Sequence, residues 1–362
     1  MVKVGTSVIS TETGKLDNCQ IENLVNQISS LWEKGYQVVL VTSGAIAAGV
    51  ERLGLEKRPT DISGLQAAAS VGQGILLHQY ASLFNRRGLK VGQVLLTRAD
   101  MIHREQYLNA RNTFNKLLEL GATPIVNEND TTAVEEIKIG DTDTWAALVT
   151  NLIKADLLVI LSDIDGLFTG DPRKNGEAKL LLDVDKITTK IEKLAGGVGT
   201  KFSLGGMVTK IQAAQIVTFA GAGIVIANGK RANVLLDIIN GKDVGTFFRP
   251  QKEKVASRKL WIAFGMKAKG TITLDDGAKK AIVEGGKSLL PAGILDVNGK
   301  FGIGDSVNLA DKNENIFARG LTSFSSDELL MIRGLKRSEV VRVLSEEASE
   351  EVVHRDCLVV LK

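Results

Sequence analysis

Short runs dense in valine, isoleucine and leucine recur through the first two thirds of the chain, at residues 38–41, 94–96, 124–126, 157–161 and 224–227. Longer segments with apolar residues at helical spacing separate them, which predicts alternating strands and helices. The runs are apolar at both alternating positions, so the strands are expected to be covered on both faces. That describes an α/β fold, a three-layer αβα sandwich around a mainly parallel sheet. In open sheets of this kind ligands bind beyond the carboxyl ends of the strands. Polar or glycine-rich clusters fall at those places, at 5–7, 42–44, 127–130 and 162–165.

After Arg249 and Pro250 a charged stretch, 251–259, precedes a different pattern of short strands with frequent glycine and turn signals. Two domains are therefore expected, residues 1–250 and 256–362. In the second, small and mainly β, strands are predicted at 271–274, 306–309 and 316–318, with a helix over 277–284. The charged segment 339–351 is expected to form a solvated terminal helix.

Composition narrows the function classes. The chain has 362 residues, with 45 basic against 42 acidic side chains, and the balance holds on both sides of residue 250, at 27 to 26 and 18 to 16. Neither part is a polycation, which argues against a nucleic-acid partner. Cys19 and Cys357 lie at opposite ends and allow neither a disulfide framework nor a zinc spacing, and His78, His103 and His354 are isolated in sequence. No apolar run is long enough to span a bilayer and no signal peptide opens the chain, so a cytoplasmic protein with no membrane partner is expected.

Five segments carry candidate chemistry. Val2-Lys3-Val4-Gly5-Thr6-Ser7 reads as a strand delivering a lysine to a glycine turn, which suits a phosphate. Thr42-Ser43-Gly44-Ala45 opens a helix whose first amides face the ligand side, although Gly44 and Gly49 equally suit tight strand–helix packing. Asn127-Glu128-Asn129-Asp130 and Asp141-Thr142-Asp143 gather carboxylates and amides at strand ends. Asp141 and Asp143 fit a helix-capping role as well as a chemical one. Gly205-Gly206-Met207-Val208-Thr209-Lys210 leads a glycine pair into a helix that carries a second lysine. The order is neither a Walker A loop nor a dinucleotide fingerprint.

Taken in order, these segments together with Leu-Thr-Arg-Ala-Asp-Met at 96–101 resemble the glutamate 5-kinases of the amino acid kinase family. The later part, with Gly302-Ile-Gly-Asp305 and Ala318-Arg-Gly-Leu321, looks like a PUA domain. The resemblance implies the amino acid kinase fold and ATP-dependent phosphorylation of the L-glutamate γ-carboxylate, the first step towards proline. Magnesium would arrive with the nucleotide, with no metal site on the protein itself. Lys3, Lys210 and Asp143 match the catalytic residues. Lys3, Gly5, Gly44, Ser162, Asp163 and the run Leu204, Gly205, Gly206, Met207, Val208, Thr209 and Lys210 match the ATP-binding ones. Ser43, Asp130 and Thr142 match the substrate-binding ones, with threonine at 142 where asparagine is usual, and Ser203-Leu204 stands where Gly-Thr is common. Relatives usually begin several residues earlier, whereas here Lys3 follows only two residues of what should be a buried central strand, and a shortened start would weaken that strand. The resemblance further implies a homo-oligomer, dimer or tetramer, and proline as a feedback inhibitor. Another family phosphotransferase with a different acceptor is the alternative. RNA binding through the PUA domain is the remaining one, and the charge balance favours a regulatory or oligomer-supporting role instead.

Overall fold

The computed structural model describes the chain apart from residues 12–13, 98–99, 102–103, 133–140, 173–175, 197–205, 252–267, 345–348 and 362. The chain divides into two compact units, Met1–Lys254 and Val255–Lys362.

In the first unit the strands are β1 (Val2–Val4), β2 (Leu40–Val41), β3 (Lys90–Leu96), β4 (Ala122–Glu128), β5 (Leu157–Ser162), β6 (Asp183–Val184), β7 (Gly223–Asn228) and β8 (Thr246–Phe248). They form one sheet in the order β3-β4-β2-β1-β5-β7-β8-β6. Every pairing is parallel except β7 with β8. β1 lies between β2 and β5, with Lys3 opposite Val41 on one side and Ile160 on the other. Strand residues alternate between faces, so Val2 and Val4 point one way and Lys3 the other.

Val2 and Val4 join a core with Ile21, Leu24, Ile28, Leu76 and Tyr80. These come from two helices. Asn18–Glu33 buries Ile21, Leu24, Val25, Ile28 and Leu31, the spacing of one helix face, and the side chain of Asp17 caps it by accepting from the amides of Cys19 and Gln20. Ile62–Arg86 is capped by Asp61, which accepts from Gly64 at 2.7 Å. Helices Arg104–Glu119, Thr142–Ile153 and Met207–Phe219 cover the other face of the sheet. In Thr142–Ile153 every residue from Asp143 to Leu152 is buried, so this helix is enclosed on all sides.

Two glycines set the spacing between the short helix Ala45–Arg52 and Ile62–Arg86. A Cβ on Gly49 would lie 1.7 Å from the Ala68 carbonyl oxygen, and one on Gly72 would lie 1.8 Å from that of Ala45. The two backbones are therefore in direct contact. Gly49 does serve close packing, but between two helices rather than between strand and helix.

The second unit has its own sheet, made of β9 (Gly270–Leu274), β10 (Ile294–Gly299), β11 (Ser306–Ala310), β12 (Ile316–Leu321) and β13 (Leu358–Val360) in the order β10-β9-β11-β12-β13. Helix Asp276–Val283 is capped by Asp275, and Ser326–Ile332 by a Ser325–Glu328 capping box. The side chain of Asp311 closes the β11–β12 hairpin. It accepts from Lys279 Nζ at 2.8 Å and from the amides of Asn313 and Asn315, and these bonds, the lysine's foremost, lower its pKa to about 2.

The expected terminal helix over 339–351 is corrected. The helix runs over Arg337–Val343 and buries Val340, and Val352 and Val353 return to the core, where Val353 bridges Leu289. Residues 345–348 of that expected helix lie outside the described residues, and the burial of Val340, Val352 and Val353 rules out a wholly solvated segment.

Gly72→Ala is expected to destabilise the first unit by ~1–3 kcal/mol or more, because the new methyl has only backbone to displace. Gly74→Ala on the same helix meets nothing within 4 Å and is expected to be neutral or to gain up to ~1 kcal/mol. Thermal melts of the two variants beside the wild type check the contrast.

Candidate functional site

A cleft of about 310 Å³ opens at the carboxyl ends of the central strands. β1 brings Lys3 to it, β2 leads into Ser43 and Gly44, β4 ends on Asn127 and Glu128 and leads into Asp130, and β5 ends on Ser162 and leads into Asp163. Lys210 enters from the first turns of Met207–Phe219, and Thr142 and Asp143 from the start of Thr142–Ile153.

Asp143 is the centre of the site. The residue is only 2% exposed. Lys3 Nζ donates to Oδ1 at 2.6 Å and Lys210 Nζ to Oδ2 at 3.0 Å, and both lysines are buried. The Thr209 hydroxyl lies 3.0 Å from Oδ2 and 2.8 Å from the Gly206 carbonyl oxygen, and its single hydrogen serves one of them at a time. Burial pushes the Asp143 carboxyl up, but the two ammonium groups and their hydrogen bonds outweigh it and hold the carboxyl below its ordinary range. Within this triad one carboxylate stands between two ammonium groups, so the triad itself carries a net positive charge, while the buried Glu128 lines the same cleft.

Local pattern left Asp141 and Asp143 alike, and the structure separates them. Asp141 caps the helix, accepting from the Thr144 amide at 3.0 Å, whereas Asp143 turns inward to the lysines.

Ser43 is 8% exposed, and its Oγ donates to Thr142 Oγ1 at 3.4 Å, so these two polar groups share one wall. Gly44 has φ 101°, a left-handed conformation that favours glycine, and it starts the Ala45–Arg52 helix. Ala45, Ile46 and Ala47, whose amides have no carbonyl one turn earlier, line the cleft. The expectation for Gly5 is corrected. Its φ of −79° is open to any residue, and its amide donates to the Leu161 carbonyl at 3.1 Å, so it is not available to a ligand. Gly5 still lines the cleft, and a Cβ there would make only ordinary contacts, the nearest at 3.5 Å from the Leu161 carbonyl oxygen. Ser162 is buried with Oγ 3.2 Å from Asp163 Oδ1, and Asp163 is exposed.

Of the run read as a nucleotide loop, Leu204 and Gly205 lie outside the described residues. Gly206, Met207, Val208 and Thr209 form the helix start, and among them and Lys210 only the lysine lines the cleft. Sequence reasoning missed Arg58, which also lines it, and missed the support behind the walls. Gln73 accepts from Asn127 Nδ2 at 2.7 Å, and the hydroxyl of fully buried Tyr80 lies 3.0 Å from Thr42 Oγ1. Both come from Ile62–Arg86, and nothing in their spacing distinguishes them from ordinary core residues.

The model of the amino acid kinase family matches residues 1–228, and that of the PUA domain matches 270–344. Curated relatives share the whole chain. The glutamate 5-kinase of Thermoanaerobacter pseudethanolicus is 48% identical over 100% of this chain and 97% of its own. That of Caldanaerobacter subterraneus subsp. tengcongensis is 49% identical over the same shares. This chain belongs to the amino acid kinase family, among the glutamate 5-kinases.

For a member of this family the cleft falls where the sheet topology puts ligands, and the second unit carries the PUA match. The glutamate 5-kinase of Moorella thermoacetica is 46% identical over 100% of this chain and 96% of its own. The solved T. acidophilum isopentenyl phosphate kinase aligns over 68% of this chain and 98% of that chain, at 20% identity and a TM-score of 0.46, and adds nothing to the assignment. Among the described residues no helix is long and apolar enough to cross a membrane.

Asp143→Asn leaves two buried ammonium groups without their counter-charge and is expected to cost ~3–5 kcal/mol at neutral pH. Because the folded carboxyl titrates below its unfolded value, the stabilisation is complete above about pH 4, the unfolded value, and is lost as pH falls through the lower folded one. Denaturation of wild type and variant from about pH 7 to about pH 3 is expected to give a difference that holds down to about pH 4 and then narrows.

Proposed function

We propose that this kinase transfers the γ-phosphoryl group of ATP to the γ-carboxylate of L-glutamate, giving L-glutamyl 5-phosphate, the first step towards proline. The observation that carries the reading is the pair of buried ammonium groups, Lys3 and Lys210, held side by side on one carboxylate. A carboxylate is already a competent nucleophile at neutral pH, so the reaction needs alignment and charge neutralisation rather than a base. A γ-carboxylate oxygen attacks the γ-phosphorus while the bond to the bridging oxygen breaks and ADP leaves, and no proton moves. Lys3 and Lys210 neutralise the group in transit, and Thr209 helps Asp143 hold them.

Ser43, Thr142 and Asp130 surround the acceptor on the β2 and β4 side, with Asp130 matched to its ammonium group. Gly44 and the helix amides after it offer donors to its carboxylates. Ser162 and Asp163 contact the nucleotide beyond β5, and the run from Leu204 to Lys210 borders its phosphates. Both Asp143 oxygens are taken up by ammonium groups, which suits magnesium held chiefly by the nucleotide phosphates rather than by this carboxylate, where it would add charge to the transfer. A cytoplasmic location, a dimer or tetramer and feedback by proline in the acceptor pocket belong to the same reading and rest on the family resemblance.

Purified protein with ATP and magnesium is expected to release ADP in response to L-glutamate and, with hydroxylamine present, to form the hydroxamate of a trapped acyl phosphate. Aspartate, N-acetylglutamate and uridylate serve as comparison acceptors, and absence of a glutamate response overturns the reading. Lys210→Ala is expected to lower kcat by about 10²-fold or more at saturating substrate, and unchanged turnover removes that lysine from the mechanism. Asp130→Ala is expected chiefly to raise the KM for glutamate.

A further inference from the structure

Arg58 is the cation of the cleft that the phosphoryl chemistry does not use. It lines the same cavity as Lys3 and Lys210, is exposed, and has no hydrogen bond or ion pair among the described residues. Its position is set by the chain around it. Pro59 follows, which biases residue 58 to extended backbone. A Cβ on Gly64 would come within 2.7 Å of the Pro59 ring and 2.8 Å of the capping Asp61 carboxylate, so the loop is packed against the first turn of Ile62–Arg86. The helices on either side of the loop are in backbone contact at Gly49 and Gly72. A long, delocalised cation is thus presented from an anchored loop.

Topology puts Arg58 on the acceptor side. The sheet order β4-β2-β1-β5 places Ser43 and Asp130 on one side of Lys3, and Ser162 and Asp163 on the other. The loop bearing Arg58 leaves the helix that begins directly after Ser43 and Gly44. On that side the charged side chains lining the cleft are Glu128, Asp130 and Arg58. Glutamate brings one ammonium and two carboxylate groups. The acids match the ammonium group, and the γ-carboxylate must face the two lysines to react. The α-carboxylate remains, and a guanidinium matches a carboxylate with two parallel hydrogen bonds.

We propose that Arg58 binds the α-carboxylate of the acceptor and selects acceptors that carry it. The inference rests on the glutamate reading above, and its test separates the two. Wild type and Arg58→Gln are compared with L-glutamate and with its α-amide, which keeps the ammonium group and the γ-carboxylate but has no charge at the α position. Loss of one charge-assisted contact is expected to raise the KM for glutamate about tenfold, with kcat changed by less than about threefold and the KM for ATP unaltered. The preference of kcat/KM for glutamate over the α-amide is expected to shrink by the same factor of about ten. Arg58→Lys, which retains the charge but not the fork, is expected to recover part of both effects. Equal losses with the two acceptors, a rise in the KM for ATP alone, or no change overturns the role of Arg58. A wild type that forms no glutamate-dependent hydroxamate overturns the glutamate reading itself, and this inference with it, before any variant is compared.

Discussion

A single buried carboxylate holding two buried ammonium groups is the constraint around which the first unit is arranged. A buried charge without a partner is expensive, and each partner here comes from a different element: a central strand, the first turn of an enclosed helix, and the first turns of another. The triad joins positions 140 and 67 residues apart in sequence. Its geometry therefore requires β1 in register, Thr142–Ile153 against the sheet, and Met207–Phe219 beside it. It is at once a structural tie and the electrostatic centre of the cleft. Removing either lysine would alter both roles together, which is why turnover and stability must be measured side by side at these positions.

The helix Ile62–Arg86 supports the opposite wall in three ways along its length. Gly72 allows the helix after β2 to lie directly on it, Gln73 fixes the Asn127 amide, and Tyr80 meets Thr42 next to Ser43. Burial pushes the Tyr80 hydroxyl's pKa up, so it remains a neutral partner there. This wall of the cleft thus rests on a second layer, with its polar groups Asn127 and Thr42 held by hydrogen bonds within the protein.

Much of this was legible in the chain. Runs apolar at both alternating positions pointed to the covered parallel sheet, because such strands have no wet face. Lys3, Ser43 and Asp130 were recognisable because polar residues stand where buried strands end. What local pattern could not decide was Asp141 against Asp143, since both are acids at a helix start and only the distant lysines distinguish them. Arg58 was not singled out, because its place in the cleft comes from the loop's packing and not from its neighbours in sequence. The short edge strand β13 escaped because a few β-formers near a chain end carry little periodicity. The charged composition of 339–351 gave no sign that the helix would end at Val343 or that Val352 and Val353 beyond it would be buried.

The strand order also has a consequence for how the molecule is made. β1 to β4 are complete in the chain by residue 128 and are contiguous in the final order β3-β4-β2-β1, so β1 would be the open margin of any sheet formed before β5 is synthesised. Such a margin is a place where another strand can pair. β5 closes it and brings Ile160 alongside Lys3, and Asp143, the counter-charge of that lysine, lies between β4 and β5 in the chain and has been added by then.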